Sequence, residues 1–245
     1  MKQSKSIVAN ILLVITLALF AFFVTKQTDD SQFVTYKVNT KKQNVELFWK
    51  DDKDEKFKSI QNLKSWLYKN KRKLVFAMNA GMYKSDNSPL GLFIEKKITK
   101  SPLNTSNGKG NFYLKPNGVF CIATENTPFI CSTSDFKNNG KIKYATQSGP
   151  MLVINGEIHN AFKEGSTNLN IRNGVGILPD GNVIFAMSKT EINFYDFAKY
   201  FKNLGCKNAL YLDGFVSRTY LPEKNWIQTD ENFGVIAGVT ANMTE

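Results

Sequence analysis

Val175-Gly-Ile-Leu178-Pro179-Asp-Gly-Asn182-Val183-Ile-Phe-Ala-Met187 is the stretch that decides the fold class. Two apolar runs flank a Pro-Asp-Gly-Asn turn, and an Asp-Gly pair supplies the positive φ that a tight β-turn requires. The pattern recurs upstream. Asn155-Gly156 separates the runs Met151 to Ile154 and Glu157 to His159, and Lys115-Pro-Asn-Gly118 separates Asn111 to Leu114 from Val119 to Ala123. Three hairpins predict an antiparallel sheet. Before them, Val45, Leu47 and Trp49 alternate as in a half-buried strand, and Lys73 to Met78 and Leu90 to Glu95 read as further strands.

Two helices interrupt the strands. From Asn193 to Leu204 the apolar residues Phe194, Phe197, Ala198, Phe201 and Leu204 recur at helical spacing, with Asn193 as N-cap and Gly205 as the stop. A second helix, about Phe57 to Tyr68, puts Phe57, Ile60, Leu63 and Leu67 on one side. The expected fold is α+β: a single domain with a strongly curved, mostly antiparallel sheet covered by a few helices and preceded by an N-terminal transmembrane helix.

That first helix is read from the N-terminus. Lys2 and Lys5 precede an uncharged, mostly apolar stretch of 18 residues, Ile7 to Val24, which Lys26 closes. This length just spans a bilayer, and the flanking charge keeps the short N-terminal side in the cytoplasm. Ala18 and Ala21 have the wrong spacing for a small-x-small cleavage site, so an uncleaved anchor is favoured over a cleaved signal. Residues 1–26 are assigned to the signal anchor, 27–32 to a polar neck and 33–245 to the domain, which is expected on the extracytoplasmic side, or secreted if the segment is cleaved. Three cysteines do not make a disulfide framework. Cys121 and Cys131 flank a turn at Glu125-Asn-Thr-Pro128, leaving open either a cross-strand disulfide or three buried thiols.

The net charge is +11. Its lysines are scattered rather than gathered in a basic block or an aromatic-interleaved stripe, so no nucleic-acid partner is expected. A solvated Lys-rich surface, drawn secondarily to anionic envelope polymers or lipid headgroups, fits better. Arginine is scarce: only Arg72, Arg172 and Arg218 occur among 32 basic residues. Two of these lie in glycine-bearing segments, where a planar fork of donors suits phosphate or carboxylate.

Four segments combine glycine with polar groups at strand ends: Asn79-Ala-Gly81-Met-Tyr83, Gln147-Ser148-Gly149-Pro150, Ile171-Arg172-Asn173-Gly174-Val-Gly176 and Leu212-Asp213-Gly214-Phe-Val-Ser217-Arg218. Glycine admits close backbone approach to a ligand. The order and wording of these segments, with Ser88-Pro-Leu-Gly-Leu92 and Asn155-Gly156, resemble the phosphodiester glycosidase family, and most closely its small bacterial envelope branch. The resemblance covers about Leu74 to Gly238. It implies a metal-independent glycosidase of sugar phosphodiesters, with Asn79, Arg172, Asp213 and Ser217 in the pocket. The better-known members read Leu-Asp-Gly-Gly followed by a Ser pair, whereas this chain has Phe215 and then Ser217-Arg218. Ala80 and Met82 likewise depart from their Asn-Gly-Gly-Phe wording.

The side chains permit the same chemistry. A sugar-1-phosphodiester expels a phosphate monoester, a much better leaving group than an alcohol, so a strong general acid is less necessary than in the usual two-carboxylate glycosidase. The catalytic candidates are Asp213, as nucleophile or base for water, and Arg172, as the clamp on phosphate oxygens. Asn79, Gly81, Ser148, Gly149, His159, Asn173, Gly214, Ser217 and Arg218 are the substrate-binding candidates. Arg218 has the alternative of a plain ion pair, Asp213 that of a turn cap, and His159 that of a structural histidine. A Ser-His-Asp hydrolase is disfavoured because the one histidine lies in a hairpin and no nucleophile elbow occurs. No cofactor is expected and no zinc spacing exists, while an oxygen-ligand Ca²⁺ or Mg²⁺ site stays open. The expected partner is a phosphorylated carbohydrate or envelope polymer, and the rival reading is a non-catalytic domain that binds phosphorylated glycans.

Overall fold

Sixteen strands and two α-helices follow one another in the computed structural model, which describes residues 31–213 and 216–243. The first half contains β1 (Phe33–Val38), β2 (Val45–Phe48), α1 (Ile60–Lys69), β3 (Arg72–Asn79), β4 (Phe93–Glu95), β5 (Ile98–Ser101), β6 (Gly118–Ala123), β7 (Pro128–Ser132) and β8 (Ile142–Ser148). The second contains β9 (Met151–Ile154), β10 (Glu157–Ile158), β11 (Asn173–Ile177), β12 (Val183–Ser188), α2 (Phe194–Asn203), β13 (Ala209–Asp213), β14 (Thr219–Leu221), β15 (Trp226–Ile227) and β16 (Ile236–Asn242).

The strands form three sheets rather than the one curved sheet expected. Their orders are β1-β12-β11-β13-β9-β10, β15-β14-β3-β16-β2 and β5-β4-β8-β6-β7, and every named strand pair is antiparallel. All three turn one face to a shared core that includes Phe76 and Met78 from the second sheet, Phe120 from the third, and Phe185, Leu210 and Leu212 from the first. Curvature around that core is achieved by division into sheets. The outer faces differ. Helix α2 covers the first sheet through Phe197, Ala198 and Phe201, and α1 covers the second through Ile60, Leu63 and Leu67. Gln32–Glu245 forms one compact unit.

Local signals account for most element ends. Asn155 and Gly156 have φ of 50° and 87° between β9 and β10, and Gly181 has φ of 79° in the turn between β11 and β12. Asn193 caps α2 by accepting from the Asp196 N–H at 2.8 Å, and Gly205, at φ 79°, follows its C-terminus. Helix α1 starts three residues later than expected because Lys58 has φ 62° and Ser59 supplies the cap. The run Asn111 to Leu114 is not a strand. Asn111–Tyr113 is a 3-10 turn with Phe112 buried and its carbonyl held by Asn117 Nδ2 at 2.9 Å, and Pro116 offers no N–H to a ladder. Strand β6 pairs instead with β7 across the turn after Ala123, and with β8.

All three cysteines are free. In the β6–β7 ladder Cys121 faces Phe129 and Cys131 faces Val119, so the two thiols are diagonal rather than opposite. The expected anchor, residues 1–26, lies outside the described residues, as does most of the neck. Among the described residues no helix is long and apolar enough to cross a membrane.

One bulge determines where the site sits. Asn173 pairs with Asp213 while Gly174 pairs with Tyr211, so Leu212 is the extra residue on β13. Beside it, a Cβ on Gly174 would lie 2.9 Å from the Leu210 carbonyl oxygen and 3.2 Å from the Phe197 ring. Gly174→Ala is therefore expected to destabilise the fold by about 1–3 kcal/mol through overpacking, read as a lower denaturant midpoint with unchanged slope.

Candidate active site

The site lies on the seam between the first and second sheets. Strand β3 ends on Asn79, β11 begins on Asn173, β13 ends on Asp213, and the chain then crosses through Ser217 and Arg218 into β14. The Asn79 carboxamide joins all of these. Its Oδ1 accepts from Asn173 Nδ2 at 2.8 Å and from the Arg218 N–H at 2.9 Å. Its Nδ2 donates to Asp213 Oδ2 at 3.3 Å and to the Val216 carbonyl. Asn173 completes the lock: its Nδ2 also reaches the Asn79 carbonyl at 2.9 Å, and its Oδ1 accepts the Asp213 N–H at 2.8 Å. The Ser217 hydroxyl lies 3.0 Å from the Asp213 carbonyl and 3.2 Å from that of Ile171. Asn79, Asn173, Asp213 and Ser217 are thus brought together, all buried, with Asp213 retaining 5% exposure. A carboxamide has two donors and two acceptor sites, so Asn79 has none left for a ligand and serves as scaffold.

Arg172 is placed differently from an open clamp. It is fully buried. Nε donates to the Ile192 carbonyl at 2.7 Å, one terminal nitrogen to the Tyr211 hydroxyl at 3.1 Å, and the other to the Asn168 carbonyl and Oδ1 at 2.9 and 3.0 Å. The guanidinium carbon sits 3.7 Å from the centre of the Phe194 ring. Every one of these partners is neutral, and no ion pair among the described residues includes Arg172. Burial pushes its pKa down, opposed by the Tyr211 contact; an arginine nonetheless stays charged. A cation enclosed without a counter-charge is costly unless a ligand supplies one.

Arg218 takes the ion-pair alternative. Its guanidinium grips Asp230 through two bonds of 3.0 and 3.1 Å and also meets Glu231, so its charge is already matched. His159 is buried, with Nε2 3.2 Å from the Lys115 carbonyl and Nδ1 accepting from the Ala161 N–H at 3.1 Å. Burial lowers its pKa against the opposing Lys115 bond, and with both nitrogens occupied it is a neutral structural group stacked on Phe162. Ser148 donates to the Leu212 carbonyl at 2.6 Å, tying the third sheet to the bulged strand. Gly81 and Gly149 are sites of close packing, where a Cβ would lie 2.6 Å from Thr146 Oγ1 and 2.5 Å from Asn117 Cβ. Gly214 lies outside the described residues. No cluster of three or more His, Cys, Asp or Glu able to hold a metal occurs among the described residues.

Two tyrosines complete the surroundings of Asp213. Tyr211 is fully buried, and its phenol is pushed up to about 12 by burial, with Arg172 pulling down and Asp213 adding to the rise. Tyr83 is half-buried, and burial, then the charges of Asp213 and Glu231, raise it to about 12. Neither was singled out from sequence. Tyr211 stands two residues before Asp213 on one strand, and Tyr83 closes the Asn79 segment, which are the signals that would have found them.

In this antiparallel three-sheet domain the candidate site consists of a carboxylate held by two carboxamide side chains and a buried guanidinium bonded to Tyr211. A model of the phosphodiester glycosidase family matches residues 72–237, and the chain belongs to that family. It is 37% identical over 187 residues to the uncharacterised protein YigE of Escherichia coli (strain K12), covering 76% of this chain and 73% of that one. Its fold is similar to the catalytic domain of zebrafish N-acetylglucosamine-1-phosphodiester alpha-N-acetylglucosaminidase, auto-inhibited by its pro-peptide, with a TM-score of 0.51, 15% identity and coverage of 85% and 88% of the two chains. A hypothetical protein from Synechocystis has a TM-score of 0.54 at 12% identity, over 85% of this chain and 59% of that one.

Two outcomes follow from the geometry. Asn79→Ala removes the acceptor of the Asn173 amide and the Arg218 N–H and a donor to Asp213, and is expected to cost about 2 kcal/mol or more, measured by denaturant unfolding. Tyr83→Phe should remove one phenol that ionises near pH 12 rather than 10 in the ultraviolet difference titration. Because the folded-state value is the raised one, the stabilisation linked to Tyr83 is present below pH 10 and is lost as pH climbs toward 12.

Proposed function

We propose that the protein hydrolyses the glycosidic bond of a sugar-1-phosphodiester, in a glycan, glycolipid or envelope polymer, on the extracytoplasmic side of the membrane. The neutral surroundings of the buried Arg172 guanidinium carry this reading. A phosphate oxygen taking the place of the Asn168 acceptors would bring a counter-charge to the guanidinium, and Asn168 sits on an exposed segment free of helix and strand. The positive charge then lies where negative charge gathers as the anomeric C–O bond breaks and its electron pair passes to the phosphate.

Asp213 acts on the anomeric carbon, as nucleophile or as base toward water, with its carboxylate aimed by Asn79 and its backbone fixed by Asn173. A second carboxylate is dispensable because the departing phosphate monoester is already a weak base. Glu231, whose charge reaches Tyr83 along with that of Asp213, is engaged by Arg218. Tyr211 links the two ends of the site, accepting from Arg172 while lying within the field of Asp213.

The test is release of free sugar from a panel of hexose-1-phosphate diesters. Asp213→Asn, which keeps size and removes charge, is expected to lower turnover by about 10²–10⁴. Arg172→Lys should also impair it strongly, since an ammonium cannot reproduce the planar fork held by Ile192, Asn168 and Tyr211. Wild-type protein that binds these diesters and releases nothing, with affinity unchanged in Asp213→Asn, would make it a binding domain instead.

A further inference from the structure

A second feature lies at the other end of β3. There α1, β3, β14 and the C-terminal end of β16 border a groove of about 540 Å³. Leu74 and the ring of Tyr220 line it, Tyr68 stands at its edge with 68% exposure, and Met243 closes it at 40%. Two of the five exposed large apolar side chains among the described residues therefore meet in one depression. Its charge is of one sign. Lys64, Lys69 and Lys73 line the groove, and none of the three has an ion-pair partner among the described residues. Arg72, in the same wall, is neutralised by Glu46. The Lys64 ammonium sits 5.4 Å from the centre of the ring of Tyr220, which is buried at the floor of the groove.

We propose that this groove is a secondary binding site for a phosphate-bearing glycan chain, holding one stretch of the polymer while another is cut at Asp213; the assignment rests on the hydrolase reading above. The exposed Tyr68 ring offers an apolar platform for a sugar ring, and the unpaired lysines near it match phosphates. The concave shape selects a strand over a bilayer, because a membrane plane meets protruding surfaces and cannot enter a depression between a helix and a sheet. Strand β3 joins the two places: Leu74 lies in the groove and Asn79 in the site, about 17 Å apart along an extended strand. An oligomer of several repeats spans that distance and a single sugar diester does not.

The experiment uses the full chain in nonionic detergent, with Asp213→Asn as the background so that binding is read without turnover. Two probes are compared by calorimetry: a linear oligomer of about eight hexosyl-1-phosphate repeats, and the methyl diester of one hexose-1-phosphate. The triple variant Lys64→Gln/Lys69→Gln/Lys73→Gln is expected to weaken oligomer binding about tenfold or more at low salt and to leave the single diester within twofold. Tyr68→Ser, on an exposed position, should weaken the oligomer alone, and both variants should keep the parent's thermal midpoint. Unchanged oligomer affinity overturns the proposal, as does an equal loss for both probes. Loss of binding to vesicles of anionic phospholipid with the oligomer unaffected also overturns it, in favour of a membrane contact. If the wild-type chain cleaves neither probe while the triple variant still loses the oligomer selectively, the hydrolase reading fails and the groove assignment stands.

Discussion

The Asn79 carboxamide is the interaction on which the rest depends, because it is the point where two separate sheets agree on the position of one carboxylate. Strand β3 belongs to the second sheet, whereas β11 and β13 belong to the first, and nothing in their ladders fixes one relative to the other at this seam. The amide does so with all four of its bonding positions, two on side chains and two on the main chain of the crossing segment. Asparagine suits the task because it donates and accepts in one plane. An aspartate there would turn a second negative charge on Asp213, and a leucine would leave several buried polar groups unmatched.

The three arginines show how surroundings decide what a guanidinium does. Arg72, at the start of the central strand of the second sheet, pairs with Glu46 and Thr240, and Arg218 is held by Asp230 and Glu231. Both are matched by carboxylates. Arg172 is the most deeply buried of the three and has carbonyls, an amide oxygen and a phenol instead. Its aromatic bed, Phe194 stacked in turn on Phe162 and His159, holds the plane of the guanidinium without adding charge. That contrast, more than the presence of arginine, sets Arg172 apart from the other two.

What was legible in the sequence was local. Asn155-Gly156 and Pro179-Asp-Gly-Asn182 specify their turns through residues that tolerate positive φ, and the α2 boundaries follow from Asn193 and Gly205, so both hairpins and the helix could be read directly. Lys115-Pro-Asn-Gly118 misled because the same turn residues precede β6 without a partner strand before them; the burial of Phe112, which is not a local property, decides the matter. Division into three sheets was hidden for the same reason, since the β3–β16 pairing joins residues far apart in the chain. Strand-end glycines pointed to the segments that carry Asn79, Asn173, Asp213 and Ser217, which the fold brings together. Which of their polar atoms would be consumed internally was not readable, and no pattern connects Asn168 with Arg172. The pairing of Arg218 with Asp230-Glu231, only 12 and 13 residues away, was open to a simple charge count.

Around Asp213, two carboxamides, a hydroxyl and backbone groups supply a set of uncharged hydrogen-bond partners. Added electrolyte screens lysines on the surface but acts far less on such short, buried contacts. The orientation that these contacts give the carboxylate is therefore little changed by added salt. Ionic strength can thus change what the Lys-rich surface attracts while the buried arrangement around Asp213 stays in place.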